Sequence, residues 1–198
     1  MTYTIRRYKS YQEYLDDEAL HHENNYRLLD TGELIEVAGE DEDNLWIASA
    51  LILLLQKTVG LSIIKLIRNG NKEIQVRPVG DRCVNRKPDL LVMKPEHRLE
   101  RQAIKLGAPA PDFIAEVVSP GNVSSDNYLR DYVWKRQQYQ EWGIPEYWIL
   151  DAHRKQVTVL ALVNGEYQEA VYKGDRKVIS TAYPAIDITA NDLLSGNI

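Results

Sequence analysis

The sequence predicts an α/β (α+β) chain with a central mixed β-sheet flanked by helices. Three observations carry this. Residues 112–118 form a nearly continuous apolar run, as expected of a strand covered on both faces. A helical segment, 125–142, follows and stops at Gly143, with Pro145 just beyond. Strand-like segments at 145–151, 155–163 and 166–172 then succeed one another, the last two joined by the turn pair Asn164-Gly165. A length of 198 residues favours one domain, 1–198.

The elements follow in order. Ser10 is placed to cap a short helix over 10–20. Residues 26–38 read as a hairpin turned at Thr31-Gly32, with Leu34, Glu36 and Ala38 on one face. Segment 41–59 is a helix with acids in its first turn and Gly60 at its end. Its centre, Leu45 to Leu55, has no polar face, so the whole segment, Leu53 and Leu54 included, is expected to be buried on the sheet. Short strands are expected at 62–67, 72–78 and 88–93, with a tight turn at Asn69-Gly70-Asn71 and a charged loop over 94–111. The tail, 184–194, reads as a last strand and a short helix.

Composition narrows the function. Hydrophobic residues make up 44% and charged residues 27%, as in ordinary globular chains. No apolar run is long enough to span a bilayer, so no membrane role is expected. The N-terminus has no apolar signal core, and the expected location is cytoplasmic. A single cysteine, Cys83, excludes a disulfide framework and a Cys-rich zinc site. The net charge of −5 excludes a general polyanion binder. Arg77, Arg82, Arg86 and Lys87 form a local basic cluster, either a nucleic-acid contact or the solvated flank of a hairpin.

Two charges sit where charge is costly. Glu116 interrupts the apolar strand, and Lys135 shares a helical stripe with Tyr128, Tyr132, Tyr139 and Trp142. A charge removed from water must be paired, neutralised or bound to metal. Either a structural ion pair or a shared site satisfies that rule. Asp89 opens the strand at 88–93. Asp89, Glu116 and Lys135, on two strands and a packed helix, could hold a divalent cation beside a water. Their side chains are then expected to converge within about 4–8 Å. Asp131, four residues before Lys135, is either an exposed ion-pair partner or part of the site. Asp112 lies about 13 Å from Glu116 along the strand, too far to share one ion. The histidines His21, His22, His97 and His153 show no zinc-ligand spacing, and Ser119 has no nucleophile-elbow context.

The segments GELIEVAG (from Gly32), KPDLLVM (from Lys87), PDFIAEVVSP (from Pro111) and KRQQYQEWGIPEYWILD (from Lys135) carry a family resemblance. Over roughly residues 10–190 the chain resembles the Uma2 or DUF820 group of the PD-(D/E)XK nuclease superfamily. That resemblance implies a restriction-endonuclease-like fold and a metal-dependent phosphodiesterase site using Mg²⁺ or Mn²⁺. It implies Asp89 and Glu116 as metal ligands, Lys135 as the catalytic lysine displaced to the helix, and Glu36 as an additional acid near the same pocket. Two departures stand out. The residue two after the glutamate, where the superfamily places lysine, is Val118. Asn44 stands where many relatives carry a histidine.

The leading expectation is an endonuclease hydrolysing DNA. The alternatives are a degenerate nuclease fold that binds nucleic acid or protein without cutting, and a metal-dependent enzyme on RNA or another phosphodiester. Duplex cleavage would favour a homodimer, which presents two sites to two strands.

Overall fold

The computed structural model describes residues 6–20, 25–37, 42–99 and 102–198. In chain order its strands are β1 (Asn25–Leu28), β2 (Leu34–Val37), β3 (Ile67–Arg68), β4 (Glu73–Gln75), β5 (Asn85–Arg86), β6 (Leu90–Val92), β7 (Ala103–Ile104), β8 (Phe113–Val117), β9 (Glu146–Asp151), β10 (Gln156–Val163) and β11 (Glu166–Lys173). The helices are α1 (Tyr11–Leu15), α2 (Glu42–Val59), α3 (Asp126–Leu129), α4 (Lys135–Trp142) and α5 (Ala190–Ser195). The central sheet has six strands in the order β11-β10-β9-β8-β6-β3. Only β8 and β9 run parallel in it, so the sheet is mixed, as the sequence predicts.

Strand parity sorts the core into two layers. Leu90, Val92, Phe113, Ala115 and Val117 face α2 and α5. Leu91, Met93, Ile114 and Val118 point the other way and pack with Tyr139 of α4. By the same alternation Asp89 and Glu116 belong to the α4 side. The antiparallel register Leu90↔Ala115 brings Asp89 opposite Glu116 one step further along. A smaller sheet, β5-β4-β7, and the ribbon β1-β2 complete the architecture.

Local chemistry explains the element ends. Ser10 Oγ accepts the Glu13 amide at 3.1 Å and opens α1. Gly143 closes α4 in the left-handed conformation, φ 83°. Asn164 and Gly165 both have positive φ, as a two-residue hairpin of the I′ kind requires. Glu146, fully buried at the start of β9, ties the C-terminal segment to the sheet. One oxygen accepts from Trp148 Nε1 and Ser180 Oγ, both at 2.6 Å. The other accepts the amides of Thr181 (2.7 Å) and Ala182 (2.9 Å) and the Thr181 hydroxyl.

Several expectations need correction. α1 spans five residues, not the whole of 10–20. The strand expected at 62–67 is a 3₁₀ turn, Leu61–Lys65, followed by the two-residue β3. The strands expected at 72–78 and 88–93 each shorten to three residues. The loop 94–111 contributes β7, which pairs parallel with β4. The strand expected in the tail is a single bridge, Lys177 to Thr189, before α5. α2 is not buried all round. Ile47, Leu51, Leu54 and Leu55 face the core, but Leu45, Trp46 (61% exposed) and Leu53 (50%) face outward. A helix lying on one face of a sheet hides one stripe whatever its composition.

Candidate active site

Helix 125–142 is interrupted in its middle. Residues Arg130–Trp134 form a π-turn, in which the Lys135 amide bonds to the Arg130 carbonyl, five residues back. Such a turn inserts one residue into the α-helical register, and π-turns concentrate at functional sites. Here Asp131 and Lys135 both turn inward. Lys135 Nζ stands 2.8 Å from Asp131 Oδ1 and 2.9 Å from Glu116 Oε2. The two carboxylates are 1% exposed and the lysine side chain 11%, so this is a buried ion triad. The reading of Asp131 as an exposed ion-pair partner is therefore corrected.

Glu116 is held on every side. Its Oε1 accepts the Tyr139 hydroxyl at 2.6 Å, and its Oε2 also accepts the Asp89 amide at 3.4 Å. Asp89 reciprocates, its Oδ2 accepting the Val117 amide at 2.7 Å. Thus each acid touches the backbone of the other's strand. Asp89, Glu116 and Lys135 are brought together at the ends of β6 and β8, under the π-turn. Arg130 supports the triad from outside, with Nε and Nη2 at 3.1 and 3.0 Å from the Asp131 oxygens and Nη1 at 3.2 Å from Asn127 Oδ1.

Charge and burial oppose each other here. Burial disfavours the Asp131 carboxylate, but Lys135 and Arg130 outweigh it and hold its pKa below the usual carboxylate range. Burial likewise disfavours the Lys135 ammonium, and Asp131 and Glu116 outweigh it, raising its pKa. Burial, then the Glu116 charge, pushes the Tyr139 phenol well up, so it stays a hydrogen-bond donor to Glu116.

Asp89, Glu116 and Lys135 open onto a cavity of about 290 Å³. Ser119, Pro120, Asn127 and Arg130 form one wall, and Asn25, Tyr26, Arg27 and Val37 of the ribbon form another. Arg86 and Lys87 also line it. Its charged lining is therefore two carboxylates against five cations. Asp89 and Glu116 supply hard oxygen donors suited to Mg²⁺ or Mn²⁺. Among the described residues no group of three or more Asp, Glu, His or Cys side chains is arranged to hold a metal ion. An ion on this pair would complete its shell with water and substrate oxygens, as magnesium commonly does.

Other expected residues fall elsewhere. Glu36 does not line the cavity. It is exposed on β2, a strand that reaches the cavity wall through Val37. The basic cluster is not one patch. Arg82 pairs with Asp30 at 2.8 Å, and Arg86 is buried, with Nη2 on both oxygens of Asp81 and Nε on Gln138. Only Arg86 and Lys87 of that cluster reach the cavity. Asp112 pairs with Lys94, as expected of a strand-opening residue. His97 is a buried structural residue, its Nδ1 accepting the Lys94 amide and its Nε2 meeting the Pro109 carbonyl at 2.8 Å. His153 is exposed, and His21 and His22 lie outside the described residues. Asn44 is buried near the start of α2 and is absent from the cavity wall. The sequence reading missed Arg27, Arg130 and the hydroxyl of Tyr139. Only Tyr139 left a trace, as a polar tip on the aromatic stripe.

Comparison with known proteins bears on the family and the fold. The Uma2 family model, described as "Putative restriction endonuclease", matches residues 11–191. A crystal structure described as a putative nuclease belonging to DUF820, from Anabaena variabilis ATCC 29413, superposes with a TM-score of 0.65 at 17% identity. The match covers 94% of this chain and 98% of that one. No curated protein matches the sequence. Among the described residues no helix is long and apolar enough to cross a membrane.

Proposed function

Because the chain belongs to the Uma2 family, we propose that Asp89, Glu116 and Lys135 form the centre of a divalent-cation-dependent endonuclease acting on DNA. The observation that carries this reading is the reciprocal hold of each acid on the backbone of the other's strand beside a buried ammonium, in a cavity whose other charged lining residues are all cations. Asp89 and Glu116 would hold Mg²⁺ or Mn²⁺. A bound ion of this kind lowers the pKa of water and stabilises charge on a phosphate.

The remaining roles belong to the chain. Lys135 keeps an ammonium at the cavity wall, where it offsets charge developing on the phosphate. Asp131 positions that ammonium through the π-turn, and Arg130 in turn anchors Asp131. Tyr139 fixes the orientation of Glu116. Arg86, Lys87 and Arg130 favour entry of a polyanion although the whole chain is acidic, since the local field at a cleft decides capture.

The reading is tested by incubating the protein with single- and double-stranded DNA in Mg²⁺, in Mn²⁺ or in chelator. Strand cleavage with metal and none with chelator is expected. Binding without cleavage under every condition would favour a non-cutting module on the same fold.

A further inference from the structure

One cation of the cavity has no part in the chemistry above. Arg27 belongs to β1, is half-buried and lines the same cavity as Asn127 of α3 and Arg130 of the π-turn. Among the described residues no carboxylate lies within ion-pair distance of it. Of the charges that act most on it, two are the cations Arg130 and Arg86. The nearby Asp81 is already engaged, through both oxygens, by Arg86. Burial first, then Arg130, pull the Arg27 pKa down. This is the reverse of an ordinary structural arginine, which is partnered by an acid or extended into solvent.

In one part of the cavity, Asp89 and Glu116 meet Lys135. Elsewhere on its lining, Arg27 shares the cavity with Arg130 and Arg86. Arg130 lines the same cavity as Lys135 and Arg27, and its charge acts on both. Cations outnumber acids even when Asp81 and Asp131, which lie behind the wall, are included. A divalent ion on the two acids would enlarge the surplus. A partly desolvated guanidinium near two others is disfavoured in the free protein, an anion relieves it, and its planar fork suits phosphate oxygens.

We infer that Arg27 binds a second phosphate, next to the one cleaved, so that the site takes a polynucleotide strand and not an isolated phosphodiester. This rests on the nuclease reading of the same cavity. Arg27 is then a substrate-binding residue, retained at some cost to the stability of the free protein.

The test uses Arg27→Gln, with Arg27→Lys as the charge-retaining control. Binding of a short single-stranded oligodeoxynucleotide is followed by anisotropy in Ca²⁺ over a range of KCl concentrations. Arg27→Gln should bind about tenfold more weakly, as for loss of one charge-assisted contact. Its salt slope should fall by roughly 0.7, the value for one phosphate contact on a single strand. Arg27→Lys should retain most of that slope. The melting temperature of Arg27→Gln should equal or exceed that of the wild type, because a desolvated cation among cations has been removed. In Mn²⁺ the wild type should cut the oligonucleotide faster than the dinucleotide dTpdT, and Arg27→Gln should lose that preference through KM. An unchanged salt slope, or a melting temperature several degrees lower, would overturn the assignment. Failure of the wild type to cut either substrate would reject the nuclease reading, while the salt slope would still report on Arg27.

Discussion

Replacing Lys135 with alanine is expected to lower kcat by about 10²- to 10³-fold, the usual cost of deleting one stabiliser of transition-state charge. DNA binding should change far less, because Arg86, Lys87 and Arg130 still line the cavity. The substitution also has a structural cost that the sequence did not suggest. Read from the sequence, a partly buried lysine contributes little net stability. In the structure it lies between Asp131 and Glu116, both buried, and its loss strands two carboxylates. Breaking such a buried pair costs roughly 3–5 kcal/mol. Activity must therefore be read on protein shown by circular dichroism to be folded. Asp131→Asn combined with Lys135→Gln removes one of the stranded charges and should melt closer to wild type while remaining inactive. Full activity in either folded variant would reject Lys135 as catalytic.

Glu146→Ala should cost roughly 3–5 kcal/mol of stability, since two buried and three part-buried donors lose their acceptor together. Trp148, Ser180, Thr181 and Ala182 all point at this one carboxylate. Its loss frees the segment that leads to α5, and α5 packs on α2 through the shared core. Urea denaturation measures the effect. A loss below about 1 kcal/mol would mean that water replaces the carboxylate at little cost.

The half of the molecule that carries the candidate site was legible for a plain reason. Strands of period two and a helix ended by glycine leave few ways to arrange 88–151, so embedded charges at 89, 116 and 135 could be placed on one side of the sheet. The four-residue spacing of Asp131 and Lys135 was equally visible. The π-turn that accompanies their burial is announced by no spacing, because an inserted residue in a helix leaves composition unchanged.

Other features depend on contacts distant in sequence. Trp46 and Leu53 have the same apolar character as Leu51, and only the packing of α2 decides which of them is covered. Glu36 alternates with apolar residues as Glu116 does, yet β2 belongs to a two-stranded ribbon and not to the central sheet. Arg86 and Arg82 stand four apart in one basic run, but their partners Asp81 and Asp30 send one into the core and leave the other exposed. Arg27 could not be found from local pattern at all, since its significance lies in having cations for neighbours.

The central claim is that Asp89 and Glu116 hold a divalent cation at the cavity floor. Calorimetric titration of Mn²⁺ into the wild type and Asp89→Asn, with thermal melting in parallel, tests it most directly. The wild type should bind one Mn²⁺ and melt at a higher temperature with it, because the ion relieves repulsion between the two acids and binds only the folded chain. Asp89→Asn should lose both the binding and the shift. Equal Mn²⁺ uptake by the two proteins, or none by the wild type, would contradict the account.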